Sequence, residues 1–124
     1  MSNIAISTRL QHGIWIITFA GELTSQDEES LNAAYPWLHQ TESTTMILFD
    51  MSRLSYINSS GIALLIRFVR ESSHKKYTAY AFGVSSHYQK IFRIVGLTSY
   101  IELFPDEYSA LETLFARQSG GIDG

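Results

Sequence analysis

At 124 residues, with 45% hydrophobic and 17% charged residues, the chain has the composition of one globular domain and is too short for two. A net charge of −3, with nine Lys and Arg scattered along the sequence, gives no footprint for a nucleic-acid backbone, and the absence of cysteine excludes disulfides, thiol catalysis and thiolate metal sites. The start lacks a basic segment followed by an apolar run, and no stretch nears the roughly 18 apolar residues of a membrane span, so the expectation is a cytoplasmic protein without a membrane partner.

Ile4, Ile6 and Leu10 have the spacing of a strand with one buried face, and Gln11-His12-Gly13 supplies a turn into the denser run Ile14 to Phe19, which predicts an opening hairpin. After Gly21, Ser25-x-x-Glu28 has capping-box spacing and Leu31, Ala34, Tyr35 and Leu38 mark one face of a helix. Pro36, which has no amide proton and clashes with the preceding turn, should kink or stop that helix. Met46-Ile47-Leu48-Phe49 is an apolar run without alternation, the pattern of a strand covered on both faces, and Asp50 is expected to end it.

From Gly61 a second helix is predicted, with Ile62, Leu65, Ile66 and Val69 on the packed stripe and Arg67, Arg70 and Glu71 away from it. Tyr77 to Phe82 reads as the next strand, and Ser86-x-x-Gln89 opens a helix carrying Tyr88, Ile91, Phe92 and Val95 that Gly96 terminates. A short strand near Tyr100 to Leu103 and a helix opened by Pro105-Asp106-Glu107, with Tyr108, Leu111 and Phe115 inward, complete a domain over residues 1–117. Residues 118–124 read as a flexible tail. Strands alternating with helices imply an α/β fold: a mixed sheet of about five strands, antiparallel only in the hairpin, with about four helices.

Functional groups of such sheets gather beyond the carboxyl ends of the strands, which directs attention to Asp50 to Ser60. Asn58 or Ser59 can cap the helix, leaving Ser60 at its open mouth. Phosphate there would meet free amides and the positive end of the helix dipole, so the fold tolerates a charge of about −1.5 to −2. A partner docked over the same point would not, and release is the expected result.

The stretch Asp50-Met51-Ser52-Arg53-Leu54-Ser55-Tyr56-Ile57-Asn58-Ser59-Ser60-Gly61 resembles the signature of STAS domains, the family of bacterial anti-sigma-factor antagonists: an Asp at a strand end, a loop, then Asp/Asn-Ser-Ser/Thr-Gly. The resemblance extends to Phe19-Ala20-Gly21-Glu22-Leu23 upstream and to Val95-Gly96-Leu97-Thr98, Phe104 and Ala110-Leu111 downstream. It implies a single STAS-like domain with Ser60 as phosphoacceptor and Asp50, Asn58, Ser59 and Gly61 as its environment. It further implies partner switching in transcription regulation, not an enzyme. The bare antagonist binds an anti-sigma factor that is also a serine kinase of histidine-kinase-like ATPase fold, phosphorylation releases it, and a metal-dependent serine phosphatase resets it. Two residues depart from the family pattern, Thr24 where many members have Asp after Gly-Glu-Leu, and Asn58 where Asp is commoner.

On the predicted second helix Leu64 and Phe68 fall roughly opposite the packed stripe, one and two turns after Ser60, where a partner would bury them; a covering neighbour is the equal alternative. His12, His39, His74 and His87 have no ligand spacing, so no metal is expected. No Gly-x-Gly-x-x-Gly, Walker loop or Gly-x-Ser-x-Gly elbow is present, so no cofactor is expected and Ser60 reads as a substrate, not a nucleophile. The other readings are a constitutive STAS scaffold or assembly subunit of a stress-sensing or lipid-transport complex, and a small nucleotide-binding or nucleotide-hydrolysing protein, which rests on the α/β class alone.

Overall fold

The computed structural model describes residues 3–39 and 44–123, with side chains as far as Gln118. Strands β1 (Ile4–Gln11) and β2 (Ile14–Leu23) pair antiparallel through a two-residue turn. His12 at φ 49° and Gly13 at φ 81° give that turn the double left-handed geometry that matches strand twist. Strands β3 (Met46–Ile57), β4 (Thr78–Phe82) and β5 (Ile101–Phe104) add in chain order, each parallel to its predecessor, as the alternation of strands and helices predicts.

The helices are α1 (Glu28–Asn32), α2 (Ser59–His74), α3 (Ser86–Ile94) and α4 (Glu107–Asp123). Alternating strand residues divide the core in two. Ile17, Phe19, Ile47, Phe49, Ala79 and Ala81 face the layer of α1, α2 and α3, whereas Ile14, Ile16, Leu48, Tyr80 and Phe82 face Ala110 and Leu114 of α4. This double cover explains the unbroken apolar run in β3. Among the described residues no helix is long and apolar enough to cross a membrane.

Several local expectations shift. The first helix is a 3-10 turn at Ser25–Asp27 followed by only five residues of α-helix, and it stops at Asn32, before Pro36, which instead opens a second 3-10 turn. Its capping box uses Thr24 and Asp27, one residue earlier than Ser25 and Glu28: the Thr24 N–H donates to Asp27 Oδ2 at 2.8 Å, and Thr24 Oγ1 accepts the Gln26 N–H at 3.3 Å. Ser85 caps α3 where Ser86 was expected, because its hydroxyl accepts the Tyr88 N–H. Tyr108 is 75% exposed, and the inward positions of α4 include Ala110 and Leu114. The α4 backbone continues to Asp123, through the residues assigned to a tail.

The larger corrections concern β3 and α2. Asp50 does not end β3. It ends only the pairing with β4, and the strand runs on to Ile57 against β2 alone. With one edge open, Ser52, Arg53, Ser55 and Tyr56 are exposed, and so this stretch reads as a loop from composition. Leu64 and Phe68, named as a partner-binding patch with a covering neighbour as the equal alternative, are 6% and 1% exposed, so they are covered and not a docking patch. The 3-10 turn and short helix after β2 cover that side, and Phe68 stacks on Tyr35 at 4.2 Å and meets Phe49 edge-on at 5.5 Å. Tyr35 stacks in turn on Trp37, with Lys75 over the Trp37 ring. Burial, helped by the nearby Glu71 carboxylate, pushes the Tyr35 phenol above its ordinary pKa.

Candidate functional site

The site lies where β2 and β3 end together and α2 begins. Between Thr18 and Leu23, β2 advances five residues while its partner β3 advances seven, from Asp50 to Ile57, through two register shifts. Each extra residue in β3 bends the strand and increases its twist, the usual effect of a bulge. The strand thereby delivers Ile57 beside Leu23, and the chain turns into α2 within two residues.

Asn58 makes that turn. Its N–H donates to the Leu23 carbonyl at 3.3 Å, its Oδ1 accepts the Gly61 N–H at 2.8 Å, and its own carbonyl accepts the Ile62 N–H at 3.0 Å. It is extended at φ −88° and ψ 177°, the conformation of an N-cap. Two of the first-turn amides are therefore satisfied, and those of Ser59 and Ser60 have no partner among the described residues. Both serines are exposed. An oxyanion attached at Ser60 would meet the positive end of a helix of sixteen residues.

Gly61 has a packing reason to be glycine. A Cβ there would stand 2.3 Å from the Leu23 carbonyl oxygen and 2.9 Å from Ile57 Cγ2. The first turn of α2 is thus pressed onto the end of β2 as closely as a backbone allows. Gly61→Ala is expected to destabilise the fold by about 1–2 kcal/mol, overpacking of 1–3 kcal/mol being only partly offset by the ~0.5–1 kcal/mol helix preference of Ala. Thermal unfolding monitored by circular dichroism checks this; an unchanged midpoint would mean that α2 can lift off β2 freely.

Asn58, Ser59, Ser60 and Gly61 are brought together as expected, but Asp50 is not among them. It lies five β2 residues back, about 17 Å at ~3.3 Å per residue. There its Oδ1 accepts the Ser52 hydroxyl at 2.6 Å and the Ser52 N–H at 3.0 Å, shaping β3 where it leaves β4. Thr24 and Asn58, the two departures from the family pattern, do meet: with Asn3, Ser25 and Gln26 they line a polar recess of about 360 Å³ beside the helix start. All five lining side chains are uncharged. Just behind them Asp27 is fully buried.

Two neighbours went unread in the sequence. The Tyr88 hydroxyl, on α3, accepts the Ile57 N–H at 2.9 Å, so α3 holds the end of β3 that presents the serines. Tyr88→Phe is expected to cost about 1 kcal/mol by stranding that amide, and to raise hydrogen exchange at Ile57 more than at β1. Equal exchange at both positions would remove the positioning role. An apolar groove of about 380 Å³ also runs from Ser59 between α2 and α3, past Ile62, Ile66, Ile91 and Val95. Neither has a local signal, because both join β3 or α2 to α3 across some thirty residues of chain, whereas the Asn58 cap is a short-range pattern. Among the described residues no group of three His, Cys, Asp or Glu is arranged to hold a metal.

Residues 5–110 match the family model for the STAS domain. No curated protein matches the chain in sequence. Solved structures with this fold include phosphorylated SpoIIAA, a cell fate determinant from Bacillus (22% identity, 89% of this chain and 99% of that one, TM-score 0.68). A serine-to-glutamate variant of RsbS from Moorella thermoacetica is also similar (13% identity, 92% and 97%, TM-score 0.74). A third is a sulfate transporter family protein from Wolinella succinogenes (15% identity, 76% and 80%, TM-score 0.63). At these identities the structural likeness speaks for the fold.

Proposed function

Since the chain belongs to the STAS domain family, we propose that it is an anti-sigma-factor antagonist, binding its partner while Ser60 is bare and losing it when Ser60 carries phosphate. The partner is an anti-sigma factor that is also a serine kinase of histidine-kinase-like ATPase fold, and a metal-dependent serine phosphatase restores the hydroxyl. The chain itself is a substrate of these enzymes and not a catalyst.

The observation that supports this most is Ser60 itself, exposed in the first turn of α2 next to two amides without partners. A kinase can reach that hydroxyl without unfolding the domain, and the added charge meets the helix dipole favourably. The same charge lies where a docked surface would have to close, and closing over it would strip its water. The uncharged recess of Thr24 and Asn58 makes the site less repulsive to phosphate than one lined by carboxylates.

The purified chain, incubated with its kinase, ATP and Mg²⁺ and read by intact mass and peptide mapping, should gain one phosphate on Ser60 and none in Ser60→Ala. Phosphate on Ser59 instead, or none at all, would defeat the proposal. The likeness to a sulfate transporter family protein favours one other reading, a constitutive scaffold or assembly subunit. A scaffold would keep its partner with either Ala or Asp at position 60.

A further inference from the structure

We propose that the face formed by α2 and α3 beside Ser60 is a docking surface for an acidic protein segment, one that places apolar side chains in the groove and carboxylates along its rim. The proposal deepens the reading of Ser60 as a switch and rests on it.

The groove between α2 and α3 is concave and lined largely by Ile57, Ile62, Ala63, Ile66, Ile91 and Val95, and Ser59 stands at its mouth. Apolar exposure continues on α3, where Ile94 is 83% and Val95 44% exposed. Ala63 and Ile66 also border a second recess of about 320 Å³, completed by Arg67, Arg70, Glu71 and His74. The apolar groove thus passes into a recess edged by two arginines and one carboxylate, Glu71; Arg67 is paired with Glu28, and Arg70 has no ion pair among the described residues. On α3, exposed Lys90 precedes Ile94 by one turn, so a cation flanks the apolar patch on that helix too.

Charge is divided unevenly along the chain. Six of the nine Lys and Arg lie between Ser59 and Val95, against one of the twelve acids, Glu71. Two of the six have local roles, Arg67 pairing with Glu28 at 2.6 Å and Lys75 lying over Trp37. Arg70 of α2 and Lys90 of α3 stand on the same side of the sheet because both helices pack on one face of it.

An apolar centre with a charged rim is the composition of a protein interface, and the rim's sign sets the partner's. A duplex or single-stranded nucleic acid would leave the isoleucines without a counterpart. A bilayer surface is flat and cannot fill a recess between two helices, whereas a side chain can. Phosphate on Ser60 would then act twice: it repels carboxylates at the mouth of the groove and offsets part of the positive potential that draws them in.

The test places a photo-cross-linking residue in the full chain as Ile94→p-benzoylphenylalanine, illuminates it in native extract and sequences the attached peptide. The expected adduct is a segment of another protein with two or more carboxylates beside apolar residues. That protein, purified, is then titrated against wild type, the double reversal Arg70→Glu/Lys90→Glu, and Ile94→Asp. The double reversal should slow association about tenfold at ~0.05 M NaCl and less than about twofold at ~0.5 M, where screening is short-ranged. Ile94→Asp should weaken binding about tenfold at both. An adduct with a second copy of this chain, with lipid or with nucleic acid, no adduct at all, or association unchanged by the double reversal would each overturn the proposal. The two readings separate through Ser60→Asp: if it binds normally while the surface variants do not, the switch fails and the docking face stands. If it is defective while the surface variants bind normally, the docking face fails and the switch stands.

Discussion

Ser60→Asp is expected to lower partner affinity by about 100-fold, while Ser60→Ala leaves it within about twofold. The asymmetry follows from position. Ser60 lies two residues after the Asn58 cap, in the first turn of α2, where a carboxylate helps the free helix by about 0.3–1 kcal/mol. The isolated variant should therefore unfold at the same temperature as wild type or slightly higher. In the complex that carboxylate loses water without gaining a counter-ion, a penalty of a few kcal/mol, and each 1.4 kcal/mol is roughly tenfold in affinity. Phosphate, with a charge of about −1.5 to −2, should act more strongly than Asp. Isothermal titration of the partner together with thermal melts measures both sides; weakened binding in a variant that also melts early would be unfolding, not switching.

Phe68→Ala carries the largest stability effect, about 4 kcal/mol, on the order of 15 °C in melting temperature for a domain of this size. Phe68 is 1% exposed, stacked on Tyr35 and edge-on to Phe49, so truncation leaves a cavity ringed by aromatic side chains that cannot collapse together. Since whole domains are stable by only about 5–15 kcal/mol, the variant should be marginal at 37 °C. Partner affinity per folded molecule should be unchanged, because the side chain is out of reach of any surface. If binding of the folded fraction fell tenfold with the melting temperature unmoved, Phe68 would have to be on the docking face after all.

The contrast between Ser60 and Phe68 shows how far a linear reading goes. Asn58-Ser59-Ser60-Gly61 is legible because a cap, its helix and the exposure of the first turn are decided within four residues. Leu64 and Phe68 stay open between a docking patch and a covered face because periodicity gives the faces of a helix but not which of them has neighbours. The covering segment, Ser25 to His39, lies some thirty residues earlier in the chain and is itself broken into short turns that helical spacing does not reveal. The polar residues 52–56 mislead for a related reason: they pair on one edge only, so their composition is that of a loop.

Five strands, four helices, their order and the serine at a helix mouth follow from short-range chemistry: two-residue and 3.6-residue apolar periods, caps, and the glycines that stop helices. The fold alone decided that Asp50 braces β3 five β2 residues before the end of that strand pair, that Phe68 belongs to the core, that Gly61 must lack a side chain because Leu23 presses on it, and that Arg67 and Arg70 edge a recess continuous with the α2–α3 groove. These depend on which segments meet across tens of residues, and no local pattern records that distance.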